Sequence, residues 1–85
     1  MRRIHRSDSN AAELVSAARK LGMLVYLTGR PTDALVGIRG AWYVVEFKAP
    51  SGSYTPAQKV FRAECEYHSL PMLTWRSVDD VAACV

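Results

Sequence analysis

Cysteine and histidine are scarce in this chain, at two residues each among 85. Cys65 and Cys84 stand far apart and in no metal-ligand spacing, and His5 has no partner at a recognisable interval. Each cysteine reads as a small apolar residue on a helix, which implies an intracellular, reducing location. No apolar run approaches the ~20 residues needed to cross a bilayer, so no membrane association is expected. The basic start, Met1-Arg2-Arg3-Ile4-His5-Arg6, lacks the apolar stretch of a signal peptide. Residues 1–8 read as a basic, flexible N-terminal arm of a single domain spanning 1–85. With 49% hydrophobic and 22% charged residues, the composition is that of a globular protein and not of a coiled coil or disordered tail. Net charge is +3, which suits a polyanionic partner. A domain this small buries only about 60–65% of its unfolded surface, so dimerisation would help it.

What the chain does contain is concentrated between Pro31 and Lys48. Two apolar runs, Ala34–Ile38 and Trp42–Val45, flank Arg39-Gly40, the pattern of a β-hairpin with a two-residue turn. Setting Ile38 opposite Ala41 pairs Val36 with Tyr43, Ala34 with Val45, and Asp33 with Glu46. Lys48 falls on the same face, two residues beyond Glu46. Opposed carboxylates about 5 Å apart repel by roughly 3 kcal/mol at an effective dielectric near 20. Either one of them holds a proton or a cation lies between them. A divalent metal with oxygen ligands is the natural cation, and one or two carboxylates with substrate phosphate is how Mg²⁺ is usually held. The same spacing also fits an ordinary Glu46–Lys48 salt bridge with Asp33 capping the strand end in solvent.

The flanking elements follow from caps and periodicity. Ser7-Asp8-Ser9-Asn10 offers N-cap residues, Ala11, Leu14, Val15, Ala18 and Leu21 recur at helical spacing, and Gly22 is the stop. Glu13 flanks that apolar stripe. Met23–Thr28 reads as the first strand, and Gly29-Arg30-Pro31-Thr32 as the turn that delivers Asp33. Ala49–Tyr54 is a loop, and Thr55-Pro56-Ala57-Gln58 opens a helix with Thr at N-cap and Gln in a capping box. That helix runs to about Tyr67, with Ala57, Val60, Phe61, Glu64, Cys65 and His68 inward and Lys59 and Arg62 outward. His68 suits the helix C-terminus. Leu70–Trp75 is a fourth strand, and Ser77 caps a final helix over Val78–Cys84. The predicted order is αβββαβα, an α/β fold whose third and fourth strands are parallel because a helix connects them.

Pro31, Asp33 and Glu46-Phe47-Lys48 resemble the PD-(D/E)XK nuclease signature. More narrowly, the chain resembles the small stand-alone VRR-Nuc (virus-type replication-repair nuclease) proteins common in phages. The resemblance runs from about Asn10 to Ala83. It takes in Glu13, Leu35-Val36-Gly37-Ile38-Arg39-Gly40, Val45-Glu46-Phe47-Lys48, Thr55-Pro56-Ala57-Gln58 and Ser77-Val78-Asp79-Asp80. Thr32 departs from it, since the family usually writes Pro directly before the Asp. The resemblance implies a restriction-endonuclease-like core, a mixed four-stranded sheet flanked by helices. It also implies that Glu13 points into a metal site and that Gln58 lies near a metal-bound water.

On that basis the expected activity is metal-dependent phosphodiester hydrolysis. Asp33, Glu46 and the Phe47 carbonyl would hold Mg²⁺ or Mn²⁺, with Glu13 completing the site and Lys48 orienting the attacking water or offsetting developing charge. No small-molecule organic cofactor is implied. Arg30, Ser51, Ser53, Lys59 and Arg62 are the candidate DNA contacts. Without a separate base-reading module, recognition would fall on backbone shape. The resemblance points to branched DNA, four-way junctions in particular, cut by a symmetric homodimer in the cytoplasm of a bacterial host. A flap or nicking endonuclease fits the same residues. Two further readings are a non-catalytic DNA-binding protein of this fold and a regulatory domain whose acid pair is only a structural cation site.

Overall fold

The computed structural model describes residues 6–85, with side chains from Asn10 onward. The basic residues 1–5 lie outside the described part. Seven elements follow one another: α1 (Arg6–Lys20), β1 (Leu24–Leu27), β2 (Ala34–Ile38), β3 (Ala41–Phe47), α2 (Pro56–Tyr67), β4 (Met72–Trp75) and α3 (Val78–Ala82). The order is the expected αβββαβα. The strands form one mixed sheet in the order β1-β2-β3-β4, antiparallel except for the β3–β4 pair, which is parallel across the α2 connection. No helix among the described residues is long and apolar enough to cross a membrane.

The central hairpin has the register read from its turn, with Ile38 opposite Ala41, Val36 opposite Tyr43 and Ala34 opposite Val45. Arg39 and Gly40 both take positive φ, 50° and 84°, as a turn matched to strand twist requires. α1 differs from expectation at its start. Arg6, the first described residue, is already helical, so Ser7 to Asn10 lie inside the helix instead of capping it, and residues 6–8 of the expected arm belong to the helix. Its end is as expected: Gly22 at φ 89° closes a Schellman motif, with Gly22 N–H donating to Arg19 O and Met23 N–H to Ala18 O. Leu21 lies past the helix and stays 45% exposed.

Two helices cover one sheet face. α1 packs on β1, β3 and α3, and α3 on β4. Leu14, Val15, Ala18, Val25, Ala34, Val36, Ile38, Val45, Phe47, Trp75 and Val81 form the buried core there. Phe47 and Trp75 stack with ring centroids 6.2 Å apart, and the Trp75 indole N–H donates to Cys84 Sγ at 3.4 Å. The opposite face carries α2 alone. Cys65 is the one α2 side chain fully buried, and Phe61 and Gln58 are half-buried. The inward stripe of α2 is thus narrower than its periodicity suggests. Val60 is 60% exposed, and Ala57, Glu64 and His68 also face solvent. A short helix laid over two central strands touches them along one row of side chains only. Both cysteines are free thiols.

Candidate carboxylate site

The β2–β3 ladder closes at Ala34 and Val45, and the acids occupy the next position on each side. The backbone before β2 is tied down: Thr28 N–H and Gly29 N–H donate to the Asp33 carbonyl at 3.0 and 3.3 Å, and Thr28 Oγ1 donates to Thr32 O at 2.8 Å. Thr32, the residue between Pro31 and Asp33, is buried, and its hydroxyl donates to Ala34 O at 3.2 Å. The half-buried Asp33 turns its side chain across to β3, where Oδ2 accepts the Phe47 N–H at 2.7 Å. It does not cap a strand end in solvent.

Glu46 is almost fully buried, at 3% exposure. Burial first, and then the neighbouring Asp33 charge, push its carboxyl from 4.5 up to about 7. Lys48 and the Gln58 amide oppose the rise. The facing pair inferred from the register is therefore a real electrostatic neighbourhood. Gln58 closes the expected capping box and also reaches Glu46. Its Oε1 accepts Thr55 N–H at 2.8 Å and Thr55 Oγ1 accepts Gln58 N–H at 3.2 Å, a complete capping box. The box aims the amide nitrogen at Glu46, where it donates to Oε2. One glutamine side chain thus fastens the start of α2 and one oxygen of the carboxylate.

The other oxygen, Glu46 Oε1, is buried and has no hydrogen-bond partner among the described residues. An unsatisfied buried acceptor costs about 1–3 kcal/mol, and more when charged. Two hard carboxylates, one with an orphaned oxygen, form a donor set that fits a Mg²⁺-type cation, which needs few protein ligands and keeps several waters. Among the described residues no three His, Cys, Asp or Glu side chains converge into a larger ligand group. Glu13, expected in the site, is exposed on α1 and is not brought to the pair. From α1, Asn10 reaches this end of the sheet, where its amide donates to Lys48 O at 2.8 Å and to Arg76 O at 3.5 Å.

The remaining expected contacts divide. Arg30 lines an open cleft of about 670 Å³ with Pro31, Thr55, Ala57, Gln58 and Phe61. Ser51, Ser53 and Lys59 are exposed. Arg62 is exposed but not loose, because its guanidinium lies 4.7 Å from the centre of the Tyr54 ring. Lys48 Nζ and the Arg76 guanidinium lie over the same ring at 5.8 and 5.9 Å. Tyr54 and Arg76 carry no signal in the sequence beyond residue type. Arg62 and Arg76 lie 8 and 22 positions from Tyr54, and they meet over its ring only through the fold. A second groove, about 650 Å³ between α1 and β1 and lined by Ala11, Val15, Arg19 and Leu27 among others, holds no carboxylate. No family model, no curated protein and no solved structure matches the chain, and the site is read from its own residues.

Proposed function

We propose that the protein is a metal-dependent DNA endonuclease with a restriction-endonuclease-like core, acting on branched DNA as a homodimer. The observation that carries this reading is the buried Glu46, with one unpartnered oxygen, facing Asp33 and within the field of Lys48. A protein gains nothing in stability by desolvating two like charges, so a site of this kind is kept for a ligand that neutralises them.

Asp33 and Glu46, with the Phe47 carbonyl on the strand between Glu46 and Lys48, would hold Mg²⁺ or Mn²⁺. When bound, such an ion acidifies a coordinated water and offsets the charge that builds on the phosphate oxygens. Gln58 fixes the rotamer of Glu46, and the Phe47 N–H fixes that of Asp33. Lys48 presents a compact positive charge to the attacking water or to the phosphate. Glu46 holds a proton part of the time at neutral pH, so a cation held by it would displace that proton and would bind more tightly as pH rises through about 7. Self-association is supported by the sheet edge, where Leu24, Tyr26 and Leu27 of β1 are 60–68% exposed. The exposure of Glu13 favours a competing reading, a cation site that binds without cutting, because it leaves only two carboxylates.

Cleavage of labelled four-way junction, flap and plain duplex DNA, with Mg²⁺, Mn²⁺ or EDTA, separates these readings. Paired symmetric cuts in the junction, abolished by EDTA and reduced at least ~10²-fold by Asp33→Asn or Lys48→Ala, are expected. Undiminished cutting by Lys48→Ala, or metal binding without cutting of any substrate, would overturn the proposal.

A further inference from the structure

Beside the acid pair, three cations gather on one aromatic ring. Tyr54 ends the loop before α2, and its hydroxyl hydrogen-bonds Thr74 Oγ1 on β4, the residue registered against Glu46. The ring is therefore held next to the carboxylates by the same strand pair that carries Glu46. Arg62 from α2, Arg76 from the end of β4 and Lys48 from the end of β3 all lie within 5.9 Å of its centre.

The two arginines are prepared differently. Arg76 spends a single nitrogen, Nη1, on the loop, donating to Ala49 O at 3.1 Å and Gly52 O at 2.6 Å. Its backbone is fixed as well, since Arg76 N–H donates to Asp80 Oδ2 at 2.7 Å. Its Nε and Nη2 make no hydrogen bond among the described residues, although a guanidinium offers five N–H donors. Arg62 makes no hydrogen bond among the described residues, and its position is set by the ring beneath it. A guanidinium that rests near a ring without spending its N–H groups keeps those donors for a ligand, and paired N–H donors match a phosphate bidentately. Of the acids nearby, Asp33 accepts the Phe47 N–H, Asp80 accepts the Arg76 backbone N–H, and Glu46 accepts from Gln58 through Oε2. Bringing three like charges together costs repulsion, and an anionic ligand at this place repays it.

We infer that Tyr54, Arg62 and Arg76 form a phosphate-gripping subsite that holds the nucleic-acid strand at a phosphate next to the one presented to Asp33 and Glu46. The inference rests on the nuclease reading for the identity of the ligand, but not on cleavage. Lys48 belongs to both groups and so links the gripped phosphate to the reacting one. The tight hold of Arg76 on the loop backbone also makes the loop, and not only the arginine, part of the grip. Tyr54 acts as a positioning residue: it touches the arginines and not the substrate.

The test is equilibrium binding of fluorescently labelled duplex and junction DNA in EDTA, by anisotropy, over a series of salt concentrations. Wild type, Arg62→Gln, Tyr54→Phe, Tyr54→Ala and Arg39→Gln are compared, the last removing a charge at the far end of the hairpin. Removing one phosphate contact lowers the slope of log affinity against log salt by about 1. Arg62→Gln and Tyr54→Ala should show that loss and bind several-fold more weakly at 100 mM salt; Tyr54→Phe, which keeps the ring but loses its Thr74 anchor, should lose less than Tyr54→Ala, and Arg39→Gln should keep the wild-type slope. An unchanged slope in Arg62→Gln, or an equal loss in Arg39→Gln, would overturn the subsite. Because no metal is present, these outcomes stand whether or not the protein proves to cut DNA. Failure to cut with intact slope differences would reject the nuclease and keep the grip.

Discussion

The two faces of the sheet are closed in different ways. Under α1 and α3, Leu14, Ala18, Ala34, Val36, Val45 and Val81 are wholly out of solvent, and Phe47 stacks on Trp75. Under α2 the cover is one row of side chains, and Leu24, Tyr26 and Trp42 remain more than half exposed. All the chemistry lies on the thin side: Glu46, Lys48 and Thr74 point there, and Gln58, Tyr54 and Arg62 meet them from the α2 segment. The division has a physical logic. A charged pair sealed beneath a complete core could not admit a ligand, and one in open water would have ordinary pKa values and no orphaned oxygen. The cover that α2 provides desolvates Glu46 enough to raise it.

The sharpest break of this comparison is to remove a large residue from the thick side. Trp75→Ala deletes a stacked, buried ring and should cost about 3–5 kcal/mol, enough to unfold much of a marginal domain at 37 °C. Denaturant melts would show it, and a loss under 1 kcal/mol would mean the α1/α3 face is not the seat of stability.

A smaller effect belongs to the acid pair. Glu46 has a folded-state pKa near 7, above its ordinary 4.5, so the folded protein binds the extra proton. Its contribution to stability is fully present below pH 4.5 and is lost as pH rises through 7. Metal-free protein should therefore lose about 1–3 kcal/mol between pH 5 and 8, with allowance for solvent screening of a partly open site. Glu46→Gln should flatten that slope, and millimolar Mg²⁺ should oppose it. Identical pH profiles for wild type and Glu46→Gln would remove the coupling from the account.

The smallest effect is expected on the outside of α2. Tyr67 is 84% exposed, and Tyr67→Ala should change stability by no more than about 0.5 kcal/mol in thermal melts. A larger loss would show that the α2 side holds more of the fold than its burial indicates.

Much of this arrangement was legible before any coordinates. The hairpin register follows from Gly40 in a two-residue turn and from side-chain alternation, both local properties, and it brings Asp33 opposite Glu46 without further information. The capping box of Thr55 and Gln58 is local too. Glu13 shows where this reasoning stops. A helical residue's direction depends on how the whole helix is set against the sheet, and α1 brings Asn10, not Glu13, to the Lys48 carbonyl. The α2 stripe was overestimated for the same reason, since periodicity marks an amphipathic face but not how much of it finds a partner.

By itself, then, the sequence determined the order of the elements, the turn, the strand pairing and the facing carboxylates, because each depends on residues close in the chain or on a two-residue period. Only the tertiary structure decided the rest: that Glu46 Oε1 is buried without a partner, that Gln58 reaches Glu46 while capping its helix, and that Arg62 and Arg76 meet over Tyr54. Those relations depend on how elements distant in sequence pack, and packing is settled by shape and burial across the whole molecule.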